Sequence, residues 1–139
     1  MLDVSQFGNS PIRPLRAEEQ ELIRALLSKS SSKESFEDTL TGSLVTDMED
    51  GGMGSIRFIR PEPETMGKVL IEAQYKDSDG VPVSIALNLD KVGRLFELDF
   101  WKVDFSPLKR YPLPSDLDGK PGENRGTGET RGRDGNFTS

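Results

Sequence analysis

The chain has 139 residues, 33% of them hydrophobic, with 24 acidic against 18 basic side chains and neither Cys nor His. That length suits one domain with its own core, and the missing residue types exclude disulfides, thiolate nucleophiles, imidazole bases and Cys- or His-held metals. A formal charge of -6 argues against a grip on nucleic-acid phosphates and points toward a basic protein partner.

Met1 to Ser10 has neither the basic nor the apolar region of a secretion signal, and nowhere do 18 apolar residues run together. A cytoplasmic protein without membrane contact is the expectation. From Pro14, acidic Glu18 and Glu19 stand where a helix N-terminus favours negative charge. Leu15, Leu22, Ile23, Leu26 and Leu27 then share one face while Glu18, Glu21 and Arg24 share the other. The spacing predicts a helix over roughly 15–28, and after a polar break Glu34 to Leu40 reads as a short second helix or a turn.

From residue 42 the period becomes two. Leu44 to Thr46 and Ser55 to Ile59 flank Glu49-Asp50-Gly51-Gly52, a turn signal. Pro61 and Pro63 interrupt the pattern, since proline cannot donate to a ladder. Val69 to Lys76, Val83 to Leu89 and Phe96 to Phe100 alternate again, joined by Asp77-Ser78-Asp79-Gly80 and Asp90-Lys91-Val92-Gly93. The expected fold is therefore α+β: an N-terminal helix packed on a five-stranded antiparallel meander, spanning residues 12–113. Residues 114–139 contain only Leu117 and Phe137 among Leu, Ile, Val and Phe, and hold 6 of the 14 glycines. Such a segment reads as a disordered tail, because it cannot bury enough apolar surface to offset its ordering entropy. Its Asn136-Phe137-Thr138 matches the glycosylation pattern, a chance match where no secretion signal is read.

The last strand carries a conflict of phase. If Phe96, Leu98 and Phe100 point inward, Trp101, Val103 and Phe105 point outward unless a residue is skipped. A bulge near Phe100-Trp101 would return the second set to the core with Lys102 and Asp104 outside, and this is the expected arrangement. The alternative exposes Trp101 in an apolar patch that would mark a binding surface.

Two short motifs have ordinary explanations. Asp77-Ser78-Asp79-Gly80 begins like a calcium loop, but Val81 and Asn88 stand where the fifth and twelfth ligands belong, so it reads as a hairpin turn. Gly51-Gly52-Met53-Gly54 precedes a strand rather than the helix that a phosphate-cradling loop needs. No cofactor and no metal site are expected.

The strand phases place Arg57, Glu72, Gln74, Ser84, Asn88, Glu97 and Asp99 together on the face away from the helix. Residues 34–104 hold 15 acidic and 7 basic side chains, so the negative charge is concentrated in the sheet. Within that set Glu72, Glu97 and Asp99 are the candidate charge partners for Lys or Arg of a basic protein, with Arg57 and Gln74 as neighbouring polar contacts. A carboxylate-dependent hydrolase on the same face is the alternative, because paired carboxylates with one raised pKa can act as acid and base. A structural or oligomeric domain pairing through a sheet edge is a third reading, and the oligomeric state is left open.

Arg13-Pro14-Leu15 with Glu18-Glu19, the stretch Asp50 to Phe58, Asp77-x-Asp79-Gly80-Val81-Pro82-Val83 and above all Gly93-Arg-Leu-Phe-Glu-Leu-Asp-Phe-Trp-Lys-Val-Asp-Phe-Ser-Pro-Leu108 resemble a family of small bacterial proteins classed as a domain of unknown function. The resemblance spans about residues 13–113 and implies no activity or site residues. Some small acidic α+β proteins of bacteria serve as immunity proteins against toxins, and by that analogy the expected function is a non-enzymatic module neutralising a cognate toxin domain.

Overall fold

A computed structural model describes residues 11–30 and 36–121, with the backbone course alone at 37–39 and 119–121. In chain order these form strand β1 (Ile12–Pro14), helix α1 (Ala17–Lys29), short helix α2 (Glu37–Gly42) and strands β2 (Leu44–Asp47), β3 (Ile56–Phe58), β4 (Met66–Lys76), β5 (Pro82–Asp90) and β6 (Leu95–Lys102). A 3-10 turn (Pro114–Asp116) leads to β7 (Asp118–Pro121). The fold is α+β with one antiparallel sheet and one main helix, as the hydropathy pattern implies. Among the described residues no helix is long and apolar enough to cross a membrane.

The sheet differs from the expected meander in size and order. Seven strands lie in the order β1-β2-β3-β6-β5-β4-β7, so only β4, β5 and β6 form a meander and β3 pairs with β6. Pro61 and Pro63 follow β3 and disfavour a tight hairpin there, which leaves β3 open to pair with β6. The connection instead passes the β5–β6 turn, where Lys91 N–H donates to the Thr65 carbonyl at 3.0 Å. Arg60 donates to the Leu95 carbonyl at 2.7 Å and Arg94 to the Glu62 carbonyl at 3.2 Å, which tethers the crossing. Beyond residue 113, β7 pairs with β4 from Gln74 to Ile71 and forms one edge of the sheet. The rest of the expected tail, with Asn136-Phe137-Thr138, lies outside the described residues, as does Met1 to Ser10.

Register shows which side chains share the helix-covered face. Opposed residues in a ladder lie on one face, and the rows here are Ile71–Leu87–Leu98–Ile56 and Ala73–Ile85–Phe100, then Tyr75–Val83–Lys102. Leu22, Ile23 and Leu26 of α1 are fully buried against this face, each contributing about 1.5–3 kcal/mol by its burial. Leu15 and Leu40 join them, and the Tyr111 ring, 5.5 Å from that of Phe100, covers the far part. Helix α1 starts at Ala17 rather than 15 because Arg16 is extended, with its N–H donating to the Glu19 carboxylate at 2.8 Å. That carboxylate is itself buried, gripped at 2.9 Å by both terminal nitrogens of Arg13, which also donates to Asp47 at 2.7 Å. The cluster ties β1, α1 and β2 together.

The ladders contain three register shifts, one of them between Met66 and Lys68 at the start of β4, and the other two change which side chains are buried. On β4 the pairing jumps from Val69–Asn88 to Ile71–Leu87, so that Leu70 and Ile71 are both buried. On β6 it jumps between Asn88–Glu97 and Leu89–Leu95, which turns Leu95 inward and puts Phe96 beside Arg57. The phase conflict is thus resolved at Leu95-Phe96 and not at Phe100-Trp101. As a correction to the expected arrangement, Trp101 is 57% exposed, Val103 and Phe105 are exposed, and Lys102 is fully buried.

The buried Lys102 is compensated in full. Its ammonium donates to Asp77 at 2.9 Å, to Asp79 at 2.7 Å and to the Pro107 carbonyl at 3.1 Å, which uses all three protons. Asp77 also accepts from the backbone N–H groups of Ser78, Lys109 and Arg110. The Asp77–Gly80 turn is a hairpin turn with Gly80 at φ 82°, and its acids hold both the end of β6 and the segment that follows. Gly51, Gly52 and Gly54 likewise form a turn with positive φ, and a side chain at Gly52 or Gly54 would press on Pro107 or Leu108.

Candidate functional site

The opposite face of the sheet gathers every candidate named from the sequence. Register places Asn88–Glu97–Arg57 in one row, Glu72–Ala86–Asp99 in the next and Gln74–Ser84–Trp101 in the third. Alternation within each strand and antiparallel pairing between strands suffice to bring these residues together, although they come from four strands.

The rows differ in what they offer. Glu97 is nearly buried, and its Oε2 accepts from Nε of Arg57 at 2.6 Å and from the Arg57 terminal nitrogen. The guanidinium lies 5.1 Å over the Phe96 ring, which adds a cation–π contact. Glu97 and Arg57 are therefore occupied with each other. Glu72 and Asp99 are half-buried, and Gln74 is exposed.

Asp99 is the chemically unusual member. Burial, the negative charge of Glu97 and a hydrogen bond shared with the Glu97 carboxyl push it up to about 7, against the smaller opposing effects of Asn88 and Arg57. Asn88 donates Nδ2 to Asp99 Oδ2 at 2.7 Å. Asn88 is only 4% exposed, and its Oδ1 has no hydrogen-bond partner. A chain without His thus still carries a group that titrates near neutrality, which composition alone could not show. The signal in the sequence is Glu97-x-Asp99 within one strand: alternation puts two like charges side by side on one face.

Trp101 completes the face. It lies two residues beyond Asp99 on the same side of β6, opposite Ser84, with the Phe105 ring 6.3 Å away. Phe105 is 65% exposed and has φ 62°, a left-handed conformation that costs a bulky residue roughly 1–2 kcal/mol. A strained turn thus holds a second exposed aromatic ring next to the first. Among the described residues no group of three or more acidic side chains is placed to hold a metal ion.

Residues 12–112 match the family model described as "Domain of unknown function (DUF6984)", and the chain belongs to that family. No curated protein and no solved structure matches it.

Proposed function

We propose that this domain is a non-enzymatic protein-binding module that takes a basic partner on the outer face of its sheet. The observation that carries the reading is Trp101, more than half exposed beside Asp99 and in one row with Gln74. Trp supplies a large, rigid contact at low entropic cost and is enriched among the residues that dominate interface energies. The surrounding carboxylates would select a positively charged partner and speed its approach. Glu97 is paired with Arg57, and Asp99 is the carboxylate beside Trp101, with Glu72 in its row. Neutralisation of a basic bacterial toxin domain is the form of this function that the overall acidity favours.

The test compares the full chain with a variant carrying Glu72→Lys, Asp99→Lys and Trp101→Ala, both immobilised. A basic protein retained by the first and released by the second, whose purified activity the chain inhibits, supports the proposal. Equal retention by both variants removes the outer face from consideration.

A hydrolase gains one favourable observation, the near-neutral titration of Asp99 beside a second carboxyl group. Against it, Arg57 already holds the Glu97 oxygen that would serve as partner base or nucleophile. Turnover of any member of a glycoside panel, lost in Asp99→Asn, would replace the binding proposal. Edge pairing between copies is disfavoured at β1 and β7 because these strands are short and carry Pro14 and Pro121. Sedimentation that shifts with concentration would reverse that judgement.

A further inference from the structure

We infer that the Trp101–Asp99 corner of the outer face is a receptor for an arginine side chain of the partner, the guanidinium lying over the indole and donating to Asp99. The inference rests on the proposed reading of this face as the binding surface and names the chemistry recognised there.

The fold itself offers a precedent. A few ångströms along the same strand and on the same face, the fold already holds a guanidinium between a carboxylate and an aromatic ring: Arg57 over Phe96 and bonded to Glu97. Asp99 and Trp101 repeat that pairing of acid and ring. Among the described residues, however, no Arg or Lys lies over the indole; the two cations stacked on rings are Arg57 on Phe96 and Arg60 on Phe58.

Hydrogen-bonding capacity around Asp99 points the same way. One Asp99 oxygen accepts from Asn88, and the amide oxygen of Asn88, almost wholly buried behind it, has no donor. Buried acceptors in native proteins are rarely left so, and each such case calls for an explanation. A guanidinium carries five N–H donors in a planar fork, enough to serve Asp99 and, with a small shift of the Asn88 amide, its oxygen as well.

The ring chemistry selects the cation. Trp is the best ring for cation–π contact, and a guanidinium stacks flat where an ammonium cannot. Exposed Phe105, 6.3 Å from Trp101, supplies an apolar wall for the methylene stem of the side chain. The charged groups facing Asp99 from its own and the neighbouring strands are Glu97, Arg57 and Glu72. Arg57 is held by Glu97, so its charge is already compensated where an incoming cation would reach Asp99.

The chain has a single Trp, so emission from Trp101 reports directly on the corner. The experiment titrates the full chain at pH 8 and low salt with a short arginine–glycine peptide and with its lysine–glycine counterpart. The arginine peptide is expected to shift the emission and to bind about fivefold or more tightly than the lysine peptide, with a loss of at least that size in Asp99→Asn. Trp101→Ala, followed by calorimetry, should remove the preference for arginine. Equal binding of both peptides, with loss only on charge reversal at Glu72 and Asp99, overturns the arginine receptor and leaves the acidic binding face standing. Binding of neither peptide, or binding unaffected by any of these substitutions, overturns both.

Discussion

Replacing Asp77 by Asn tests the claim that a buried ion pair, rather than a solvated turn, closes the end of the sheet. The Asp77 and Lys102 side chains are both fully buried. Asp77 Oδ1 accepts from Ser78 N–H at 2.7 Å and Arg110 N–H at 2.9 Å, and Oδ2 accepts from Lys109 N–H at 2.7 Å and Lys102 Nζ at 2.9 Å. An Asn of the same shape keeps one acceptor oxygen but turns an NH2 toward two donors at the other position. The fully buried lysine then loses one of its two counter-charges and keeps only Asp79. Removing one partner of a buried pair costs about 3–5 kcal/mol, a large part of the roughly 5–15 kcal/mol that holds a domain together. In urea, with a slope of about 2 kcal/mol per molar, the unfolding midpoint should fall by roughly 2 M while the slope stays the same.

The acid limb of stability supplies an independent check on the same residue. Burial alone would raise the Asp77 pKa, but hydrogen bonds from Lys102 and from the Lys109 and Ser78 amides, with the Lys102 charge, outweigh it and hold the group down to about 2. The native carboxylate thus resists protonation more than the unfolded one does. Its contribution is present in full above about pH 4 and is lost as the pH falls toward 2. In Asp77→Asn that part of the acid limb should disappear. Adding Lys102→Met should restore part of the loss, since no buried ammonium is then left short of a counter-charge. A midpoint shift below about 0.5 M, or an acid limb identical to that of the parent, would refute the reasoning.

Three other substitutions test separate parts of the structure. In Asp99, a pKa raised to about 7 means that ionisation opposes folding, so its contribution is complete below about pH 4 and is lost as the pH rises through 7. Asp99→Asn should therefore gain stability relative to the parent at pH 8 but not at pH 4; carbon-detected NMR showing an ordinary Asp titration would contradict this. At Gly67 a Cβ would fall on the Asp90 carbonyl, so Gly67→Ala should lose about 1–3 kcal/mol in thermal melts, and an unchanged melt would mean that β4 and β5 do not approach so closely. Glu19→Gln removes the charge that Arg13 grips with two hydrogen bonds, and should cost about 1.5–3 kcal/mol in urea unfolding; a neutral result would show that the cluster joining β1, α1 and β2 is dispensable.

What could be read from the sequence followed from period and punctuation. Val83, Ile85 and Leu87 alternate without interruption, and Asp90 with Gly93 marks a turn that the structure closes with Asp90 accepting from Val92 and Arg94. The common face of Glu72, Gln74, Glu97 and Asp99 needs no knowledge of pairing beyond that alternation. Other features depend on contacts between distant segments and leave little local trace. Ile12–Pro14 and Asp118–Pro121 are edge strands of three and four residues, too short to show a period and containing prolines that read as breaks. Strand order turned on where the chain went after Pro61 and Pro63, which the prolines allow but do not dictate.

The phase of β6 shows why these gaps matter for function. A hydrophobic count favours burying Trp101, Val103 and Phe105 over Lys102, because a buried lysine is expensive unless it is paired. Its pairing partners lie some two dozen residues earlier, in a turn whose Asp and Gly residues are already accounted for by hairpin geometry. Once Asp77, Asp79 and the Pro107 carbonyl satisfy the ammonium, Lys102 can occupy the core face and Trp101 must occupy the other. The exposed indole beside Asp99 is therefore a geometric consequence of the ion pair on the far side of the strand. A substitution that unseats Lys102 should disturb the outer face as well as the stability of the domain, and the emission of the single Trp would register both.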